Sequence, residues 1–321
     1  MDKKRRDFIW QSSIAVAGAS AFGFSSCKQG AKETKKEPIS ESIVSASPLF
    51  MISLAQWSLN KAHFGGKMTA LDFAKTAKQD FGINAVEYVN QFFPDKAKDK
   101  TYLSDLKTRA DGEGVESLLL MIDHEGSMGL IDEKERKKSV EKHFKWVEAA
   151  KFLGCHSIRV NSYGEGPAEE VSASAVQSLS ELSTFAKDFD INVLVENHGG
   201  ISSDAAWLVD IIEKVNLPNC GTLPDFGNFC IEEVDNKCIK EYDRYKGVKE
   251  MMPFAKAVSA KANAFNDAGQ ETKTDYKKMM QIVLDAGYHG YVGVEYEGEN
   301  EAQGIIATRK LLESIREELK G

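Results

Sequence analysis

The stretches Asn192–Gly200 (NVLVENHGG), Cys220–Phe229 (CGTLPDFGNF) and Gly290–Gly298 (GYVGVEYEG) share one pattern: a short apolar run that stops at an acidic residue. The acids are Glu196, Asp225 and Glu295. Apolar runs of this kind read as strands buried on both faces, as in a parallel sheet. A carboxylate where such a strand stops is poorly explained by packing, because ionised side chains are seldom buried without a partner. Three of them converging form a site for a hard divalent cation, which prefers oxygen ligands.

Outward from these runs, apolar stretches alternate with helical periods. The strands are expected at Phe50–Gln56, Ala85–Val89, Glu116–Asp123, Ser157–Asn161, Asn192–Glu196, Gly221–Asp225, Ala257–Lys261 and Tyr291–Glu295. Strands alternating with helices over one composition regime predict an α/β fold, a single (β/α)8 TIM barrel spanning residues 48–321, with a doubly wound open sheet as the competitor. Thr69-Ala70-Leu71-Asp72 reads as a capping box before a helix carrying Leu71, Ala74, Ala77 and Phe81 on one face. Asp132 opens a long helix with Val140, Phe144, Val147 and Ala150 in its apolar stripe, and Gly154 stops it. Ser203 or Asp204 caps the helix carrying Trp207, Ile211 and Val215, and the last helix buries Ile305, Leu312, Ile315 and Leu319. No Gly-rich phosphate loop follows the first strand and no Ser nucleophile elbow appears, so no nucleotide cofactor is expected.

The N-terminus reads as an export signal over residues 1–27. Lys3, Lys4, Arg5 and Arg6 precede a weakly apolar Ala/Gly/Ser-rich stretch from Phe8 to Phe24. Arg5-Arg6-Asp7-Phe8-Ile9 resembles a twin-arginine signal, and Phe24-Ser25-Ser26-Cys27 resembles a lipobox, which makes Cys27 the lipidation site. Residues 28–47 are polar, with no apolar period, and read as a flexible tether. The expected location is therefore periplasmic or outer-surface, with the membrane engaged only through the lipid on Cys27. Residues 1–27 carry four basic and two acidic side chains, so their removal takes the formal charge from −8 to −10. An acidic surface argues against a nucleic-acid partner. Cys155, Cys220, Cys230 and Cys238 show no metal-ligand spacing, and a Cys230–Cys238 disulfide is open in an oxidising compartment.

In a barrel of this type the reacting end is the C-terminal rim of the strands. Rim candidates from the earlier strands are Gln56, Glu87, Asp123, His124 and Arg159. His124 follows its strand directly, a place for proton transfer or hydroxyl binding. Arg159 alternates with Ile158 and Val160 and either faces the mouth or pairs with Glu87 or Asp123. His198 lies two residues beyond Glu196: a persisting strand points it at the same site, and a loop leaves it for substrate contact. Lys261 is assigned charge balance and substrate contact, because nearby carboxylates oppose the depressed pKa an imine-forming lysine needs. Asn228 is assigned a substrate hydroxyl. Trp57 and Tyr88 at the mouth either stack on a substrate ring or pack. His63, His143 and His289 receive no role.

Four motifs carry a family resemblance over about Met51–Glu317. They are Ile52-Ser53-Leu54-Ala55-Gln56-Trp57-Ser58-Leu59, Val195-Glu196-Asn197-His198-Gly199-Gly200, Pro224-Asp225-Phe226-Gly227-Asn228 and Gly293-Val294-Glu295-Tyr296. In this order and spacing the chain resembles the xylose-isomerase-like TIM barrels, a group of sugar and sugar-phosphate isomerases and epimerases. The resemblance implies a metal held by a Glu after strand five, an Asp or His after strand six, a His after strand seven and a Glu after strand eight. Three of these match Glu196, Asp225 and Glu295. At strand seven the family's His-x-Lys is replaced by Ser259-Ala260-Lys261, so the cation is held by carboxylates and water, binds more weakly, or is absent.

Together these observations predict an exported enzyme acting on a small carbohydrate. Proton abstraction next to a carbonyl is assisted by a divalent metal, Mn²⁺ or Mg²⁺ favoured and Zn²⁺ allowed, with Glu196 and Glu295 as ligands and proton carriers. Two rival readings accompany it. One is a lyase or hydratase working by β-elimination on 3-keto-glycosides, paired with a separate sugar dehydrogenase. The other is a non-catalytic carbohydrate-binding lipoprotein.

Overall fold

The computed structural model describes residues 48–320. The export signal with Cys27 and the tether through residue 47 lie outside the described residues.

Eight parallel strands form the barrel: β1 (Met51–Ala55), β2 (Ala85–Val89), β3 (Glu116–Met121), β4 (Ser157–Val160), β5 (Asn192–Glu196), β6 (Cys220–Leu223), β9 (Val258–Ala262) and β10 (Tyr291–Tyr296). Between β6 and β9 lies an antiparallel hairpin, β7 (Cys230–Val234) and β8 (Lys237–Glu241). The barrel strands pair in the order β6-β5-β4-β3-β2-β1-β10-β9. Parallel bridges Thr222–Ala255 and Asp225–Ser259 join β6 to β9 and close the ring. The helices are α1 (Asn60–Phe64), α2 (Phe73–Gln79), α3 (Lys100–Glu113), α4 (Glu133–Leu153), α5 (Ala168–Lys187), α6 (Ala205–Val215), α7 (Arg244–Met251), α8 (Tyr276–Asp285) and α9 (Glu301–Glu318). This is the (β/α)8 TIM barrel expected from the alternation of elements.

Strand alternation sorts the core into two parts. Val193 and Val195 of β5, and Ile158 and Val160 of β4, face outward into the large apolar layer beneath the helices. Leu194 faces inward and meets Ala55, Val89, Leu119, Met121, Leu223 and Ala257 in a smaller cluster inside the barrel. Each such fully buried Leu or Val contributes about 1.5–3 kcal/mol by leaving water. The next inward position along β5 is Glu196, and the equivalent places on β4, β9 and β10 are Arg159, Lys261 and Glu295. A polar layer therefore stands on the apolar plug.

Local signals match the sequence. Thr69 and Asp72 form a reciprocal capping box, though the first turn is 3-10 (Ala70–Asp72) before α2 begins. The Asp132 side chain accepts from Glu135 N, and Gly154 ends α4 in a left-handed conformation, φ 89°. Asp204, not Ser203, caps α6 by accepting from Trp207 N. Two differences matter. Tyr88, one of the two aromatics considered for the mouth, is fully buried on the outer side of β2, where it packs edge-on against Phe73 and Phe93. The β7–β8 hairpin lacks the apolar-periodic signal because neither strand buries a face: β8 is exposed throughout. A Cys230–Cys238 disulfide, Cα–Cα 5.7 Å, staples it instead.

Candidate active site

Glu196 ends β5, Asp225 follows β6 after Pro224, and Glu295 is the inward residue near the end of β10. One carboxylate oxygen from each lies within 4.8 Å of those of the other two, and all three residues are buried. Backbone pairing fixes the arrangement: Ser259 N donates to Pro224 O (2.9 Å), and Phe226 N donates to Ser259 O (3.0 Å). The Asn197 side chain crosses from β5 and accepts from Asp225 N (2.7 Å) while its Nδ2 donates to the Asp225 and Asn228 carbonyls. The amides of Gly227 and Asn228 both donate to Asp225 Oδ1 at 2.8 Å.

Ser259 stands where the resemblance implies a histidine, and its hydroxyl lies against Asp225 Oδ2 (2.7 Å) and Glu295 Oε2 (3.1 Å). Lys261 Nζ donates to Glu295 Oε1 (2.6 Å) and Glu297 Oε1 (2.9 Å) and lies 4.0 Å from Asp225. On the far side, Arg159 Nη1 donates to Asp123 Oδ1 (2.7 Å), and its Nε lies 2.9 Å from Glu196 Oε2. That last contact is an ion pair without hydrogen-bond alignment: both atoms are buried and neither has a hydrogen-bond partner. Of the two pairings expected for Arg159, the one with Asp123 forms; the one with Glu87 does not.

These neighbours set the ionisation of the layer. Burial pushes Glu196 and Asp225 up to about 7, against the pull of Arg159 on the first and Lys261 on the second. Burial acts on Glu295 as well, but contact with Lys261 outweighs it and holds the carboxyl below its ordinary value. Burial alone would lower Lys261; Glu295, Asp225 and Glu297 raise it well above the usual ammonium range. Asp123 is held low despite burial by Arg159 and Asn161. Glu87 lies deeper, accepting from Ser53 Oγ at 2.6 Å, and a Cβ at position 293 would come within 2.6 Å of its carboxylate. Burial with no cation in contact pushes Glu87 up to about 8, so at neutral pH it is chiefly the neutral acid.

Above this layer opens a cavity of about 210 Å³, lined by Trp57, Gln91, Asp123, His124, Arg159, Asn161, Tyr163, His198 and Glu295. It brings together six residues singled out in the sequence, Trp57, Asp123, His124, Arg159, His198 and Glu295. His198 does not join the carboxylate cluster, because β5 ends at Glu196 and Gly199 (φ 84°) turns the chain into a loop. Its ring stands exposed at the mouth, and partial desolvation with the charges of Arg159 and Lys261 lowers its pKa. His124 is exposed on a left-handed backbone, φ 61°. Gln56 does not reach the cavity lining: it is fully buried, Val89 N donates to its Oε1 (2.9 Å), and its Nε2 meets His63 (3.2 Å). Asn228 touches the cluster from behind, its Nδ2 donating to Glu196 Oε1 at 3.2 Å. Lys261 is similarly behind the carboxylates.

Glu297, Asn161, Asn197 and Tyr163 drew no notice in the sequence. Glu297 links the site to its rim, accepting from both Lys261 Nζ and Trp57 Nε1 (2.8 Å). Its signal was available: it lies two residues beyond Glu295, and a strand continued by one residue points both side chains the same way.

The residues fit a hard divalent cation. The donors are carboxylates, Glu196 Oε2 is buried without a hydrogen bond, and the layer carries more negative than positive side chains. Glu196, Asp225 and Glu295 would hold it.

A family model described as xylose isomerase-like TIM barrel matches residues 75–318. No curated protein matches the sequence. Among solved structures, a D-tagatose 3-epimerase-like protein is similar at 17% identity and TM-score 0.67, covering 84% of this chain and 98% of its own. A 3-keto-D-glucoside 4-epimerase from E. coli, in apo form, is similar at 15% identity and TM-score 0.60, with 77% and 94% covered. A xylose isomerase-like TIM barrel protein from Mycobacterium smegmatis, in complex with magnesium, is similar at 14% identity and TM-score 0.62, with 83% and 96% covered.

Proposed function

The chain belongs to the xylose isomerase-like TIM barrel family, and from that premise we propose that it isomerises or epimerises a small sugar or keto-sugar by moving a proton next to a carbonyl. The observation that carries this reading is the convergence of Glu196, Asp225 and Glu295 within 4.8 Å at the C-terminal rim. The names of the similar epimerases agree with it.

A divalent cation held by the three carboxylates would polarise the substrate carbonyl and lower the cost of removing the adjacent proton. Glu196 is the better base. Its pKa of about 7 matches neutral operation, and its Oε2 has no hydrogen bond to give up. Glu295, held ionised by Lys261, would serve as a ligand of the cation where it lines the cavity, so the proton that Glu196 removes is carried on Glu196 and returned from it. Arg159 orients Glu196 and Asp123, while His124 and His198 stand where substrate hydroxyls would lie. The N-terminal signal and Cys27 support an exported, lipid-tethered enzyme whose partner is a small carbohydrate.

A lyase acting on 3-keto-glycosides begins with the same proton abstraction, and the similarity to a 3-keto-D-glucoside epimerase keeps it as the second reading. Incubation with a 3-keto-glycoside separates the two, since aglycone release marks the lyase and a rearranged sugar the isomerase. The first reading is tested by metal analysis of protein purified without chelator, with turnover measured alongside. Stoichiometric Mn²⁺, Mg²⁺ or Zn²⁺, lost together with activity in Glu196→Ala, is the expected result. Metal-free but fully active protein would overturn it.

A further inference from the structure

Two aromatic rings line the cavity: that of Trp57 is held in place before any ligand arrives, and that of Tyr163 stands on a pinned backbone. Trp57 is held by its indole N–H on Glu297, by stacking on Phe92 (centroids 6.0 Å, 26°) and by the edge of Phe64. Tyr163, at 46% exposure, packs its ring against no aromatic neighbour, yet its backbone is pinned. Tyr163 N donates to Ser127 Oγ (2.8 Å), the same hydroxyl donates back to Tyr163 O, and Met128 N donates to Asn161 O (2.9 Å). The two rim loops close so tightly that a Cβ at position 164 would lie 2.3 Å from Gly129 O. An exposed ring on a rigid backbone is a prepared stacking surface, because little conformational entropy remains to be lost on binding.

The charges point the same way. Asp123, Glu196, Asp225, Glu295 and Glu297 face Arg159 and Lys261, five acids against two cations. Two positive charges from a divalent ion still leave one negative charge unmatched. Both cations are buried and already paired. A phosphate or carboxylate on the substrate would enter a site where, among the described lining residues, no lysine or arginine is free to receive it. At about 210 Å³ the cavity suits a single sugar ring, with anything attached to that ring leaving past the exposed Tyr163.

We infer that the site selects uncharged glycosides whose ring carries a ketone, with that ring in the cavity and its substituent laid on the face of Tyr163. This deepens the sugar-isomerase reading and rests on it for the place of the reacting ring. The test is equilibrium binding, independent of turnover, by calorimetry on the full chain. The probes are methyl and phenyl α- and β-glucosides and galactosides, and glucose 6-phosphate. At least one phenyl glycoside should bind roughly three- to tenfold more tightly than its methyl counterpart, the range one aromatic contact supplies. Tyr163→Phe should keep that preference and Tyr163→Ala should abolish it. Equal affinity across every pair, an unchanged preference in Tyr163→Ala, or tighter binding of glucose 6-phosphate would each overturn the inference. If the phenyl preference holds while no metal-supported turnover is found, the isomerase reading fails and the subsite stands.

Discussion

Ser259 and Asp225 face each other across the seam that closes the barrel, joined by a backbone bridge and by the Ser259 hydroxyl lying 2.7 Å from Asp225 Oδ2. The hydroxyl stands where the resemblance implies a histidine ligand, and the three candidate ligands beside it are all carboxylates. Ser259→His should therefore shift cation preference toward Zn²⁺ relative to Mg²⁺, since imidazole is the softer donor. Competitive titration of the two ions into wild type and variant measures the shift. An unchanged ratio would mean that the side chain at 259 does not reach the cation.

Lys261 balances Glu295 and Glu297 and lies near Asp225. Lys261→Met strands the buried Glu295 and Asp225, a change that costs about 3–5 kcal/mol when a buried pair loses one partner. A divalent cation in the same layer would offset much of that loss. The variant should melt well below wild type in chelator and recover most of the difference in millimolar Mn²⁺. Melting that ignores the cation would argue against a metal within reach of these carboxylates.

Glu87 makes stability fall as pH rises. Its folded-state pKa of about 8 lies above the ordinary carboxylate value of 4.5. Between those limits the unfolded chain releases a proton that the native state retains, so the contribution is full below about pH 4.5 and lost through about pH 8. The shift corresponds to a loss on the order of 5 kcal/mol. Urea denaturation at pH 5 and pH 9 should show a larger drop in wild type than in Glu87→Gln, which copies the neutral acid and leaves only the contribution of other raised groups such as Glu196 and Asp225. Parallel pH dependence in both proteins would show that Glu87 ionises normally.

Activity should decline on the acid side of neutrality. Glu196 acts as a base only when ionised, and with a pKa of about 7 it protonates as pH falls below that value. Each further unit of acidity should then cost roughly tenfold in kcat/KM. Raising the divalent cation concentration should move this limb to lower pH, because the ion competes with the proton for the same carboxylate. A limb that stays in place at all cation concentrations would separate the base from the metal site.

The barrel was legible because its strands are buried on both faces and its helices carry clear caps. Val193 and Val195 announce β5, and Asp132 with Gly154 delimit α4. The carboxylates were legible because acids at the ends of buried strands have no packing reason to be there. The hairpin β7–β8 was not, since strands that bury no face leave no apolar period. Tyr88 was misplaced by a related limit: at the end of an apolar run, residue type does not distinguish the outward face from the inward one.

By itself the sequence determined the (β/α)8 scaffold and the identity of the three acids on its rim, because both depend on short-range periodicity along the chain. Only the tertiary structure decided what surrounds those acids. The pairing of Lys261 with Glu295 and Glu297, the contact of Ser259 with two carboxylates, and the shared cavity lined by Tyr163 and His198 join residues from different parts of the chain. Their distances follow from barrel closure and register. Ionisation in that layer is set by burial and by charges a few ångströms away through space, and neither quantity is written in the order of residues along one strand.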